Sequence, residues 1–139
     1  MPELAQAGFR AIAPFTRGYA PTSLAPDDCY QTGARAADVN ALHEALGGDE
    51  NAVLIGHDWG ASTAYIAACN ANQRWRRVVA MSVPPVLTFR KSLVENLAQI
   101  KRSWYMFYFQ SALAEIAVPA QNYALIESLW KEWSPDFES

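Results

Sequence analysis

Three short apolar runs, residues 9–14 (FRAIAP), 51–56 (NAVLIG) and 76–83 (RRVVAMSV), are separated by stretches with helical periodicity. That alternation leaves few architectures open. An apolar run of this length bounded by glycine or proline reads as a fully buried strand, and strands buried on both faces belong to parallel sheets covered by helical crossovers. Between the first two runs, residues 30–46 place Ala37, Val39, Leu42, Ala45 and Leu46 mostly three or four apart, with Asp38 and Glu44 directed elsewhere. This pattern predicts an amphipathic helix, stopped by Gly47-Gly48. The alanine-rich stretch from about residue 60 to 72 predicts a second helix, and residues 2–7 read as the last turns of another, closed by Gly8 in the left-handed region. Residues 15–29 form a Thr-, Gly-, Pro-, Ser- and Asp-rich loop, long enough to carry a functional role. The fold class expected is α/β, with parallel strands flanked by helices.

Pro84-Pro85 ends this regime. Beyond it no comparable strand occurs, and residues 88–102, 103–117 and 120–133 all read as helical, followed by a Ser134-Pro135-Asp136 turn with the look of a helix cap. The expected organisation is an α/β core over 1–86 and the beginning of a helical element over 87–139. Composition narrows the function classes. With 51% apolar and 18% charged residues the chain is globular, and a net charge of −3 gives no broad positive field for nucleic acid or acidic lipid. No apolar run nears the roughly 18 residues of a membrane span, and the opening MPELAQAG has no signal-peptide character, so a cytoplasmic chain is expected. Cys29 and Cys69 have no partners at metal-ligand spacing and read as reduced, structural thiols; no metal and no cofactor is expected. No Gly-x-Gly-x-x-Gly or Walker loop follows a strand, which disfavours nucleotide binding.

The chemistry concentrates in Gly56-His57-Asp58-Trp59-Gly60, which joins a predicted strand directly to a predicted helix. This is the context of a nucleophile elbow, with aspartate where serine is usual. Glycines at both ends permit a tight turn that holds the central residue in a strained conformation above the sheet edge. The helix N-terminus complements the Asp58 carboxylate, and the Trp59 backbone N–H points to the same place, where it can serve as half of an oxyanion hole. The plainer alternative is a strand-to-helix turn in which Asp58 only caps the helix. His57 is expected to make structural hydrogen bonds, His43 to be a surface residue, and Arg74, Arg76 and Arg77 to be solvated charge around Trp75.

The stretches AIAPFTRGYAPTS, VLIGHDWGASTAY and KRSWYMFYFQ together resemble the epoxide hydrolase branch of the α/β-hydrolase family, over most of the chain. The resemblance implies that Asp58 attacks an epoxide carbon to form a covalent ester, that a histidine-activated water hydrolyses the ester to a diol, and that tyrosines of a helical cap protonate the ring oxygen. Tyr105 matches one of these, with Tyr108 the competing residue and aromatic packing the alternative role for both. It implies a small apolar epoxide as substrate.

Parts of the family's constellation have no match here. No histidine follows His57, and the His-Gly-x-Pro segment and second cap tyrosine are absent from these 139 residues. The expectation is an internal piece of a longer chain, inactive by itself and prone to self-association through unpaired strand edges. Two other readings stay open: a haloalkane dehalogenase-like hydrolase, in which the Trp59 indole N–H would hold the departing halide, and a non-catalytic binding module.

Overall fold

The computed structural model describes residues 1–71, 73–134 and 136. They form two compact units, Met1–Phe89 and Arg90–Ser139. In the first, α1 (Pro2–Gln6) leads through a long irregular stretch to α2 (Thr32–Ala45), followed by β1 (Val53–His57), α3 (Trp59–Asn70) and β2 (Arg77–Met81). The strands pair in parallel, with Ile55 opposite Val79 and His57 opposite Met81, and α3 is the crossover between them. A bond from Arg76 N–H to the Ala52 carbonyl (2.8 Å) closes the start of the ladder.

The core of this unit is built from small residues. Ala36 of α2 and Ala61, Ala64 and Ala67 of α3 are almost completely buried, so α3 approaches α2 and both strands through methyl groups. Apolar stabilisation scales with buried carbon, roughly 0.8 kcal/mol per CH₂, so an alanine core gives close approach rather than a large apolar gain. The larger strand residues lie outside it: Ile55 is 47% and Val79 43% exposed. These strands are apolar runs without the cover that their composition predicts.

Residues 9–14 are the clearest departure from the sequence reading. They form no strand, Phe9 is 53% exposed, and the backbone bond made by Phe9 N–H runs back to the Leu4 carbonyl. An apolar run becomes a strand only when a neighbour exchanges ladder bonds with it, and among the described residues none lies beside it. The predicted face of α2 also shifts. Ala36 is buried and Ala37 and Ala45 are exposed, while Asn40 and His43 turn inward with Val39, Leu42 and Leu46. Asn40 is polar yet inward because it accepts from the Trp75 indole N–H (3.2 Å) and donates to the Ala67 carbonyl (3.5 Å).

The loop 15–29 is fastened to α2 by Arg17. Its guanidinium makes two bonds to Asp38 (2.8 and 2.9 Å), one to Asp27 (2.9 Å) and one to the Cys29 carbonyl (2.7 Å). The bond to Asp38 holds the Arg17 pKa above its ordinary value. Asp27 is held below the ordinary 3.8, chiefly by the Cys29 N–H that donates to its carboxylate and then by Arg17. A lowered folded-state pKa stabilises the fold above the ordinary value and is lost as pH falls through the lowered one. The Arg17→Met variant is therefore expected to raise the Asp27 pKa, read by NMR titration, but to leave it below 3.8 because the Cys29 N–H remains. A return of Asp27 all the way to 3.8 would contradict that order of causes.

α4 (Val86–Glu95) begins at the end of the first unit, and the second unit continues with α5 (Leu97–Arg102), α6 (Trp104–Tyr108), α7 (Ala112–Ala117) and α8 (Ala120–Trp133). The single helix expected over 88–102 is broken at Asn96, whose side chain accepts from the Gln99 N–H and so starts a new helix. The helix expected over 103–117 is likewise two pieces, α6 and α7, with Ser111 at the N-cap of the second. α8 opens through Gln121, Asn122 and Tyr123 at φ of 51, 54 and 63° before becoming regular. The sequence has no glycine there to favour that conformation. Of the predicted 134–136 turn, Pro135 lies outside the described residues. Among the described residues no helix is long and apolar enough to cross a membrane.

Candidate functional site

Asp58 stands between the last ladder pair of β1 and the first residue of α3, at φ 52° and ψ −117°. Non-glycine residues at positive φ are uncommon, and holding one there costs about 1–3 kcal/mol, so the surroundings must impose it. The backbone is pinned on both sides. Asp58 N–H donates to the Met81 carbonyl (3.2 Å), and its own carbonyl accepts from Ala61 (2.9 Å) and Ser62 (3.3 Å).

The two glycines of the motif differ in role. A Cβ at Gly56 would fall on the Gly60 carbonyl group and lie 2.8 Å from the Ala61 nitrogen, so only glycine lets β1 and α3 close over this turn. A Cβ at Gly60 would meet nothing within 4 Å. The expectation that both glycines serve close approach therefore holds for Gly56 alone.

Asp58 occupies the N-cap position, yet its side chain makes no capping bond. Among the described residues its carboxylate takes no hydrogen bond or ion pair, and the residue is exposed. The helix-cap alternative thus loses its physical basis. Trp59 follows at the first position of α3, 48% exposed, its carbonyl accepting from Thr63 Oγ1 (2.8 Å). Its indole lies under the Arg35 guanidinium, 4.9 Å from carbon to ring centroid. Nothing in the spacing of α2 singled out Arg35.

His57 ends β1 with an exposed side chain, and its ring makes none of the expected hydrogen bonds among the described residues. His43 is not a simple surface residue. Arg74 donates to its Nδ1 (3.1 Å), which fixes Nε2 as the protonated nitrogen, and Nε2 donates to the Asp49 carbonyl (3.1 Å). The ring sits edge-on to Trp75 at 4.8 Å and fills the space a Gly48 side chain would need. Arg74, read from the sequence as solvated charge, is a tie between elements: it also holds Glu44 (2.5 Å), with its side chain 23% exposed. Arg76 and Arg77 are exposed.

In the second unit, Tyr105 lies on α6, half-buried, edge-on to Trp133 (4.8 Å) and to Phe109 (6.3 Å). Tyr108, also half-buried, packs edge-on against Trp104 (5.6 Å) and Phe109 (5.9 Å). Neither phenol makes a hydrogen bond among the described residues, so both hydroxyls are uncommitted. No group of three or more His, Cys, Asp or Glu able to hold a metal occurs among the described residues.

Residues 1–123 match the model of a family described as alpha/beta hydrolase fold, and the chain belongs to that family. Its similarity to curated proteins lies in the epoxide hydrolase branch. It is 39% identical over 110 residues to the epoxide hydrolase of Caballeronia sordidicola, covering 77% of this chain and 33% of that protein. It is 35% identical over 120 residues to epoxide hydrolase A of Mycobacterium tuberculosis (79% and 35%). With mouse epoxide hydrolase 3 the identity is 32% over 106 residues (76% and 29%). The chain thus spans about a third of the length of these relatives.

Proposed function

We propose that this chain carries the nucleophile and a proton donor of an epoxide-opening hydrolase. The observation that carries the reading is Asp58, held at φ 52° by backbone bonds on both sides with its carboxylate exposed and uncommitted. Strain of this kind persists where the surroundings impose it and clusters at active sites.

In the first step an Asp58 oxygen attacks an epoxide carbon. The ring C–O bond breaks, its electron pair passes to the ring oxygen, and that oxygen takes the proton of a tyrosine, leaving a hydroxyalkyl ester on Asp58. Tyr105 is the proposed donor, supported by its place in the WYMFYFQ segment; a phenol stays protonated at neutral pH and can donate to a developing alkoxide. The Trp59 N–H, at the start of α3, is the proposed oxyanion donor for the second step, in which water attacks the ester carbonyl and releases the diol. That step needs a base to deprotonate water. The sequence offers His43, whose ring is engaged, and His57, next to the nucleophile, so the ester is the expected end point for these 139 residues. Residues 87–139 are the proposed beginning of the cap, and an apolar epoxide is the proposed substrate.

Incubation with styrene oxide and, separately, 1-chlorohexane tests the reading by intact mass and halide release. A hydroxyalkyl adduct from the epoxide is expected. Halide release with an alkyl adduct, and no reaction with the epoxide, would favour the dehalogenase reading, and no adduct from either would favour a binding module. Similarity to proteins named epoxide hydrolase supports trying the epoxide first.

We also propose self-association. β1 and β2 each have an outer edge unpaired among the described residues, beside exposed Ile55, Val79 and Met81. Such edges are templates for another chain. Light scattering on the purified chain is expected to show species larger than a monomer; a monodisperse monomer with a sharp thermal transition would contradict this.

A further inference from the structure

Arg35 differs from the two arginines that fasten the first unit through carboxylates. Arg17 holds Asp27 and Asp38, and Arg74 holds Glu44. Arg35 has no carboxylate partner among the described residues; its Nε, like that of Arg74, is buried without an acceptor. Two aromatic rings hold it instead: the guanidinium lies 4.9 Å from the centroid of Trp59 and 5.8 Å from that of Tyr19. A partly desolvated guanidinium over tryptophan is among the stronger cation–π pairs. Gly18 lies beside Arg35 Nη2 and the Tyr30 ring, and its φ of +89° is a conformation that favours glycine.

The geometry joins three pieces of chain through one side chain. Tyr19 belongs to the loop that Arg17 fastens to α2, Arg35 to the first turns of α2, and Trp59 to the first residue of α3, next to Asp58. Trp59 is large, half exposed and joined to the helix through two torsions with several accessible rotamers. Left alone, its indole could sweep across the approach to the carboxylate. We propose that Arg35 is a positioning residue for the Asp58 reaction: in cation–π contact with both Tyr19 and Trp59, it fixes the indole as a wall beside the nucleophile and so orients the substrate for attack. Small errors in the placement of reacting groups lower rates by large factors, which makes the effect readable. This inference rests on the proposed role of Asp58.

The test uses Arg35→Met, Arg35→Lys, Trp59→Phe and the Arg35→Met/Trp59→Phe pair in the 139-residue chain, with two readouts. Iodide quenching of fluorescence, with Trp59→Phe subtracting the other four of the five tryptophans, reports the freedom of the Trp59 indole. The rate of adduct formation with styrene oxide, measured against concentration, reports the reaction. Arg35→Met is expected to raise the Trp59 quenching constant about twofold and to lower the maximal adduct rate about tenfold, with the half-saturating concentration little changed. Arg35→Lys, which keeps the cation, is expected to recover part of both. The double variant is expected to be no slower than the slower single one. Rate losses that multiply in the double variant, or an Arg35→Met rate equal to wild type, would overturn the positioning role while leaving Asp58 as the nucleophile. A wild-type chain that forms no adduct would overturn both, and the quenching data would then define a purely structural stack. If Arg35→Met does not fold, the comparison of Arg35→Lys with wild type decides: equal quenching and equal rate with a thinner, non-planar cation would overturn the proposal.

Discussion

Gly56→Ala is expected to destabilise the first unit by about 3 kcal/mol or more, the largest effect of any Gly→Ala substitution in this chain. The added carbon would overlap the Gly60 carbonyl group and crowd the Ala61 nitrogen, and both belong to the backbone of α3, which cannot swing aside as a side chain can. To relieve the overlap, α3 would have to lift off β1, opening the turn that holds Asp58. Gly60→Ala provides the contrast. It adds the same methyl four residues later, where nothing lies within 4 Å, at the second residue of α3. There the gain in helix propensity, about 0.5–1 kcal/mol, should leave the protein as stable as wild type or slightly more so. Urea unfolding followed by circular dichroism separates the two, and equal destabilisation by both would mean that close approach of strand and helix is not what the motif requires.

The second large effect is on chemistry. Asp58→Asn is expected to lower the rate of ester formation with styrene oxide by at least about 10⁴-fold, because a neutral amide oxygen cannot replace a carboxylate as nucleophile. Asparagine tolerates positive φ as well as aspartate does, so the variant should keep wild-type stability. Asp58→Gly goes further: it loses the reaction and removes the strain, with an expected gain of about 1 kcal/mol in unfolding free energy. Loss of reaction together with equal or greater stability is the signature of a residue kept for chemistry at a cost to the fold. A destabilised Asp58→Asn with an unchanged rate would instead mark Asp58 as a structural turn residue.

The elbow was legible in the sequence because its demands are local. A short apolar run, two glycines and an alanine-rich helix pattern around Asp58 define a strand, a turn and a helix without reference to the rest of the chain, and β1, α3 and β2 lie where the pattern placed them. What depends on partners distant in sequence was not legible. Residues 9–14 have strand composition but no neighbour to pair with among the described residues, and composition alone cannot report that. The inward face of α2 was not legible because Asn40 and His43, both half-buried, are held by hydrogen bonds to Trp75, Ala67, Arg74 and Asp49, and hydrophobic periodicity ignores polar residues satisfied across the fold. The same blindness hid Arg35, whose partners are the faces of two rings at positions 19 and 59. The break at Asn96 has a local signal, an asparagine three residues before the N–H it caps, but the apolar pattern runs on through it and hides it.

The most direct test is to locate the covalent bond. The chain is incubated with excess styrene oxide, digested at low pH to preserve the ester, and the modified peptide is sequenced by tandem mass spectrometry. The expected result is one hydroxyalkyl group on Asp58, within the peptide that carries Gly56 to Gly60, and no modification of that peptide in Asp58→Asn. A modification spread over His57, Cys69 and surface carboxylates, or one that persists in the same peptide of Asp58→Asn, would contradict the assignment of Asp58 as the nucleophile.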